Sequence, residues 1–493
     1  MEPTNLLFIM SDQHSRQVLG CYGNAVAQTP NLDRLAAAGT RFAGAYCPTP
    51  ICVPSRASFA TGRHAHTIGS WDNAAPYTGA EAESWGHRLT EQGHRVTTVG
   101  KLHYRATDDP TGFPDQRLPM HILNGVGDLH GLLRGDTPVR PQSRQHVVEA
   151  GAGESSYTRY DRAIAAEGAR WLTEAAAAGT TAGGTAAQPW ALFVSFVCPH
   201  FPLIAPPEHF ARFDPATLPL PVGWRPDEWA DHPLLREHRR LQALDTPFDE
   251  ATHRNALRAY YGLVSFLDEQ IGVVLRALDE AGLRDTTRVV YTSDHGEMLG
   301  AHGMWWKSTM YEGAAGVPLI LAGPDVPVGA VVKTNVSLID CFPTIVEAVG
   351  ATPRPQDADL PGRSLWTIAR EPDRARTVFS EYHAVFSSGG VYMLRDERFK
   401  LIHYVGGPPQ LFDLVADPDE RRDLAASPEH AATLAACERE LRAILDPEAT
   451  DRRAKAAQQR LIAAAGGVEA IIAGGVTVPF TPAPQTPIAE RNS

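Results

Sequence analysis

Cysteine is scarce in this chain and nowhere paired. Six occur among 493 residues, at positions 21, 47, 52, 198, 341 and 437, with no CxxC spacing. That argues against a disulfide framework or a structural zinc cluster. Long apolar runs are absent as well: none approaches the ~18 residues of a membrane span. No basic segment precedes the short apolar run at 6–10, so neither a membrane anchor nor a secretory leader is expected, and the protein is read as intracellular and cytoplasmic. Positive charge is in deficit, with 45 Lys+Arg against 57 Asp+Glu for a formal net charge of −12. Without a basic run, no nucleic-acid partner is expected. Hydrophobic residues are not lacking: at 43%, with 21% charged, they fit a globular chain with a sizeable core. The length exceeds one ordinary domain.

Short apolar runs at 6–10, 96–99, 191–197, 289–292 and 317–321 read as strands covered on both faces. Helical patterns lie between them. One opens at Thr29-Pro30 and stops at Gly39. The clearest covers about 255–280, where Leu257, Tyr261, Val264, Ile271, Leu275 and Leu278 form one stripe and Gly282 ends it. Strands alternating with helices imply an α/β fold with a mostly parallel sheet between helices. The Ala/Gly/Thr-rich stretch 175–188 reads as a surface loop. Near 370 the character changes. Segments 391–394 and 399–404 flank Arg395-Asp396-Glu397 as a hairpin, 410–414 follows, and a helix is expected over about 428–445. The expected organisation is a catalytic domain over 1–372, a small α+β subdomain over 373–450 and an arm over 451–493. Prolines 479, 482, 484 and 487 exclude a helix or a central strand over 474–488. Val476, Val478, Phe480 and Ile488 give that arm apolar groups to bury, so it is expected to dock on a partner chain of a homo-oligomer.

Four expected strands lead into polar residues: Asp12-Gln13, Lys101 with His103, His200, and Asp294-His295. In open α/β sheets, ligands bind beyond the carboxyl ends of the strands, so the four segments converge on one edge. Cys52-Val53-Pro54-Ser55-Arg56 continues to Thr61-Gly62-Arg63. Pro54 and Ser55 suit a helix start, which puts Cys52 where the helix dipole and free amides favour an anion.

This segment resembles the signature of the formylglycine-dependent sulfatases. The likeness extends to 29–35, to Gly100-Lys101-Leu102-His103, to Pro199-His200, to Asp294-His295-Gly296-Glu297, to Lys307, and to 410–414 with Asp417-Pro418-Asp419-Glu420. Asp12-Gln13 and Asp294-His295, where many members carry Asp-Asp and Asp-Asn, are similar to the choline-sulfatase and phosphonate-monoesterase branches. The resemblance implies an alkaline-phosphatase-like fold and oxidation of Cys52 to formylglycine by a formylglycine-generating enzyme. It also implies one divalent metal held by Asp12, Gln13, Cys52, Asp294 and His295. Calcium is the family expectation, and a nitrogen ligand leaves manganese or magnesium open. One hydroxyl of the hydrated aldehyde would attack sulfur, and the other would then expel sulfate. Arg56 would stabilise the hydrate and His103 would act as base. Lys101, His200 and Lys307 would hold sulfate oxygens, with His200 or Lys307 protonating the leaving alcohol. Asn73 is a substrate-contact candidate, Trp305-Trp306 belongs to the pocket wall or the core, and His64 and His66 are read as solvent-facing. The substrate implied is a sulfate monoester of a small organic alcohol or phenol. The same motifs fit a phosphonate monoester or phosphodiester hydrolase. A silent binding protein with Cys52 unmodified is the rival from another class.

Overall fold

The run Leu6-Leu7-Phe8-Ile9-Met10 is buried on both faces, and its alternation divides the interior in two. Leu7 and Ile9 join one core; Leu6, Phe8 and Met10 join another across the sheet. The computed structural model describes residues 2–178, 188–371, 375–475 and 481–484. Its main sheet has eight strands. In chain order these are β1 (Asn5–Asp12), β2 (Gly39–Phe42), β3 (Val96–Lys101), β4 (Asp115–Met120), β5 (Ala191–Pro199), β6 (Thr287–Ser293), β7 (Leu319–Ala322) and β8 (Ala330–Val332). They lie side by side as β8-β2-β7-β6-β1-β5-β3-β4. Only β7 runs against its neighbours. The central four, β6-β1-β5-β3, are parallel, so Ser293, Asp12, Pro199 and Lys101 end on the same edge.

Helices cover both faces: α1 (Pro30–Ala37), α2 (Cys52–Thr61), α3 (Ser156–Ala178), α4 (Glu250–Glu280) and α5 (Cys341–Val349). Ile164 and Trp171 of α3 and Leu257 and Leu263 of α4 fill the core on the Leu7 side. Phe59 of α2 and Phe342 of α5 fill the other. The expected start of α1 at Thr29-Pro30 holds, but its free amides are satisfied from afar. Asp268 of α4 accepts from the backbone N–H of Asn31 (3.0 Å) and Leu32 (2.8 Å), doing what an N-cap side chain does.

A second, antiparallel sheet follows, of β9 (Val378–Tyr382), β10 (Val391–Arg395), β11 (Phe399–Tyr404) and β12 (Gln410–Asp413), paired in that order. The hairpin expected around 395–397 is β10–β11. Helix α6 (Ala431–Ile444) comes next. Two expectations are corrected. Residues 175–178 belong to α3, and 179–187 lie outside the described residues. Residues 451–474, expected as the first part of the arm, carry two helices, α7 (Pro447–Ala464) and α8 (Val468–Gly474). Asp446 caps α7 by accepting from the N–H of Ala449 at 2.9 Å, with Pro447 at its first position. Of the proline-rich segment, only 481–484 are described. No helix among the described residues is long and apolar enough to cross a membrane.

Helix α7 docks on the rest of the chain through buried polar contacts. Arg134 meets Asp451 at 2.8 Å, both nearly fully buried. Gln458 donates to Asp72 (2.8 Å) and to the carbonyl of His383 (2.7 Å). Removing one member of a buried pair costs about 3–5 kcal/mol, because the other charge stays behind. Asp451→Ala is therefore expected to speed hydrogen exchange across 447–474 while the main sheet keeps its protection. Unchanged exchange in the two helices would show that other contacts hold them.

Candidate active site

Three segments bring their side chains to one buried point. Asp12 ends β1, and Gln13 turns away from it in the left-handed region, at φ 65°. Asp294 and His295 follow β6. Cys52 opens α2, a wholly buried helix that ends on Gly62 at φ 68°. One ligand atom from each of Asp12, Cys52, Asp294 and His295 lies within 4.8 Å of all the others. The Cys52 Sγ is 3.2 Å from His295 Nε2 and 3.7 Å from an Asp12 oxygen.

The donor set fits a divalent cation. His295 Nδ1 lies 3.0 Å from the carbonyl of Gly296. A carbonyl only accepts, so Nδ1 carries the proton and the Nε2 lone pair faces the carboxylates. A hydrogen bond behind the ring that fixes the tautomer is the usual arrangement for a metal-binding imidazole. Burial holds His295 below the ordinary histidine range, in keeping with a neutral ring. Gln13 is tied to this cluster through its backbone N–H, which donates to Asp294 at 3.2 Å, while its side-chain oxygen accepts from Lys307 Nζ.

Cations offset the two carboxylates. Burial alone would raise Asp12, but Lys101 above all, with Arg56, pulls it well below the usual carboxylate range. Lys101 Nζ contacts Asp12 directly. Arg56 Nε donates to Asp294 at 2.8 Å, and its Nη1 donates to the carbonyl of Lys101 (2.8 Å) and to Ser195 (2.9 Å). Its Nη2 is buried with no hydrogen-bond partner among the described residues. Burial and the neighbouring Asp12 push the Cys52 thiol up to about 11.

The point opens into a cavity of about 510 Å³, lined by Cys52, Asn73, Lys101, His103, His200 and Lys307 among others. The sequence candidates are thus brought together, with two refinements. Asn73 reaches the cavity, but its oxygen accepts from the N–H of Val53 at 3.0 Å and so satisfies a free amide at the start of α2. His200 keeps its Nδ1 on the carbonyl of Phe201 (2.8 Å) and presents Nε2 to Lys307 at 2.7 Å. Burial and Lys307 hold His200 well below the histidine range, so Lys307 is the donor of that pair. His103 is held low by burial and by Lys101. His66 is not solvent-facing: it is buried against Glu381, 2.9 Å away. Trp305 packs in the core while Trp306 reaches the cavity.

Several lining residues were missed from sequence. Phe201 stacks on His146 (4.8 Å between centroids) and lies under Lys307 (4.9 Å). Arg140 pairs with Asp128 at 2.8 Å. Ala465, Ile471, Thr481 and Pro482 close one side. Thr481 Oγ1 is 2.8 Å from His103 Nε2, and its carbonyl accepts from Tyr157 at 2.5 Å. The described part of the arm therefore seats in its own chain's site, where a partner chain had been expected. Only the proximity of Pro199-His200 to a strand end marked Phe201 in advance; nothing local marked Thr481.

Comparison with known proteins agrees with this geometry. The sulfatase family model matches residues 4–351, and the model for the C-terminal part of N-sulphoglucosamine sulphohydrolase matches 300–446. The chain is 30% identical to the choline-sulfatase of Rhizobium meliloti over 425 residues, covering 84% of this chain and 80% of that protein. It is 30% identical to arylsulfatase K of Danio rerio over 437 residues, covering 84% and 78%. Among solved structures, the phosphonate monoester hydrolase of Agrobacterium radiobacter superposes with a TM-score of 0.69 at 25% identity, covering 89% of this chain and 95% of that one.

Asp294→Asn keeps the shape of the carboxylate and removes its charge. It is expected to lower divalent-cation affinity by more than the ~10–100-fold that partners behind the ligands contribute, as read by titration calorimetry on metal-stripped protein. Affinity within a factor of two of the parent would take Asp294 out of the ligand set.

Proposed function

The chain belongs to the sulfatase family, and from that premise we propose that it hydrolyses the sulfate monoester of a small organic alcohol or phenol, with Cys52 converted to formylglycine by a formylglycine-generating enzyme. The observation that carries this reading is the meeting of Cys52 with Asp12, Asp294 and His295 at the floor of a cavity rimmed by Lys101, His103 and Lys307. A sulfate monoester is an anion, and this cavity offers it cations in a buried setting where they act strongly.

When present, formylglycine supplies a hydrated aldehyde as the nucleophile and the divalent ion supplies charge neutralisation. The chain's own groups do the rest. Arg56 holds Asp294 in place through its Nε. Lys101 and Lys307 hold sulfate oxygens. Neutral His103 accepts the proton whose removal expels sulfate. Lys307 protonates the leaving oxygen, and His200, whose Nε2 accepts from Lys307, holds that ammonium in place. Calcium suits the oxygen donors, while the His295 nitrogen leaves manganese or magnesium open.

The cavity wall supports a small substrate. Ala470, Ile471 and Gly474 of α8 and Thr481 and Pro482 line part of the wall, and the cavity volume of about 510 Å³ is that of a small-molecule site. A second reading, hydrolysis of a phosphonate monoester or phosphodiester, draws on the likeness to the Agrobacterium radiobacter enzyme.

Peptide mass spectrometry of protein made with the modifying enzyme is expected to find the Cys52 thiol replaced by an aldehyde oxygen, and kcat/KM for an aryl sulfate to exceed that for the matching aryl phosphonate. Intact thiol in fully active protein would end the formylglycine reading; a reversed preference would favour the second reading. Ending the chain after Gly475 removes the group that meets His103. It is expected to raise KM for a small aryl sulfate about tenfold, roughly 1.4 kcal/mol, with metal content unchanged. Parent-like kinetics would make the arm dispensable.

A further inference from the structure

Behind the cation site lies a fully buried carboxylate that none of the steps above uses. Glu297 sits three residues beyond Asp294 and has no exposure to solvent. Its Oε1 accepts from the backbone N–H of Leu299 at 2.9 Å and of Trp306 at 2.6 Å. Its Oε2 accepts from Nε2 of Gln13. The other end of that amide meets Lys307 Nζ, which can only donate, so the NH2 end faces Glu297 and both carboxylate oxygens serve as acceptors.

This settles a question that a glutamine leaves open. The two ends of a side-chain amide are nearly the same shape, and which one faces a site depends on its partners. An acceptor-only carboxylate behind Gln13 draws the NH2 group backward and turns Oε1 forward, where it accepts from Lys307 Nζ. The same carboxylate holds the N–H of Trp306, the residue immediately before Lys307. One buried group therefore sets both the oxygen that Gln13 offers and the backbone from which Lys307 reaches it.

We propose that Glu297 is a positioning residue for the cation site: it makes Gln13 an oxygen donor by fixing its amide, and it aligns Lys307 with that oxygen. The proposal rests on the reading of Asp12, Gln13 and Asp294 as a cation site. It accounts for how an amide can stand beside Asp12 in a ligand set: its oxygen is held in position before the cation arrives, so the cation need not turn it.

The test is a reciprocal exchange, read as divalent-cation affinity of metal-stripped protein by calorimetry with calcium and with manganese. Glu297→Gln keeps the acceptor for Leu299 and Trp306 but turns an NH2 group toward Gln13. Gln13 must then reverse and point its own NH2 into the site. Affinity is expected to fall about tenfold or more, the scale typical of partners behind metal ligands. Adding Gln13→Glu should recover it, because the carboxylate introduced at position 13 accepts from the amide introduced at position 297 and again offers an oxygen forward. In the Gln13→Glu background, where two carboxylates would otherwise confront each other, Glu297→Gln should raise affinity, reversing its sign in the double-mutant cycle. That comparison remains decisive should Glu297→Gln alone fail to fold. Parent affinity in Glu297→Gln, or a loss that the exchange leaves unrecovered, overturns the proposal. If Asp294→Asn also binds like the parent, the cation-site reading fails with it; if Asp294→Asn loses the ion, only the role of Glu297 falls.

Discussion

Two carboxylates, Asp12 and Asp294, are held side by side with no exposure to solvent, and most of the site follows from the need to set cations against them there. Buried carboxylates this close are costly unless cations and hydrogen bonds face them. Arg56 and Lys101 answer from within the chain, and the donor set leaves room for a divalent ion to answer further. Arg56 reaches Asp294 only because α2 is buried along its length. Lys101 reaches Asp12 only because β3 runs parallel to β1, one strand removed. Cys52 then inherits its place from Arg56, one helical turn later on the same helix. The position of Cys52, the meeting of Asp12 with Asp294 and the sheet order are thus one constraint expressed three ways.

Around that fixed floor, the walls come from far along the chain. Asn73 secures the start of α2. Phe201, after the end of β5, lies beneath Lys307. The last described segment supplies Thr481 opposite His103, and it is carried there by α7, which is tied to the catalytic domain through Asp451 and Gln458. The chemistry therefore sits on rigid strand ends and a buried helix, while the shape of the cavity is set by loops and a late addition to the fold. Such a division lets substrate size change without disturbing the reacting centre.

Much of the fold was legible because its signals are local. A run buried on both faces shows as continuous apolar residues, and all five runs read as strands lie in the main sheet. The hairpin around 395–397 was legible for the same reason. The stretch after 446 was misread. Its helix has a weak apolar stripe and depends on Ala, Arg and Gln, good helix formers, and on the Asp446-Pro447 start; the prolines further on drew the whole tail into a single arm. His66 was misread because its partner, Glu381, lies 315 residues away.

The sequence by itself determined which groups are available: a cysteine at a helix start, carboxylates and imidazoles at strand ends, lysines to meet an anion, and the likeness to sulfatases that these carry. Tertiary structure alone decided how each group is used. The tautomer of His295, the amide direction of Gln13, the spent Nδ1 of His200 and the seating of Thr481 against His103 all depend on a partner's position in space. A hydrogen bond has a direction and a reach of about 3 Å. Neither is encoded at the residue that makes it; both follow from where the folded backbone brings the other partner.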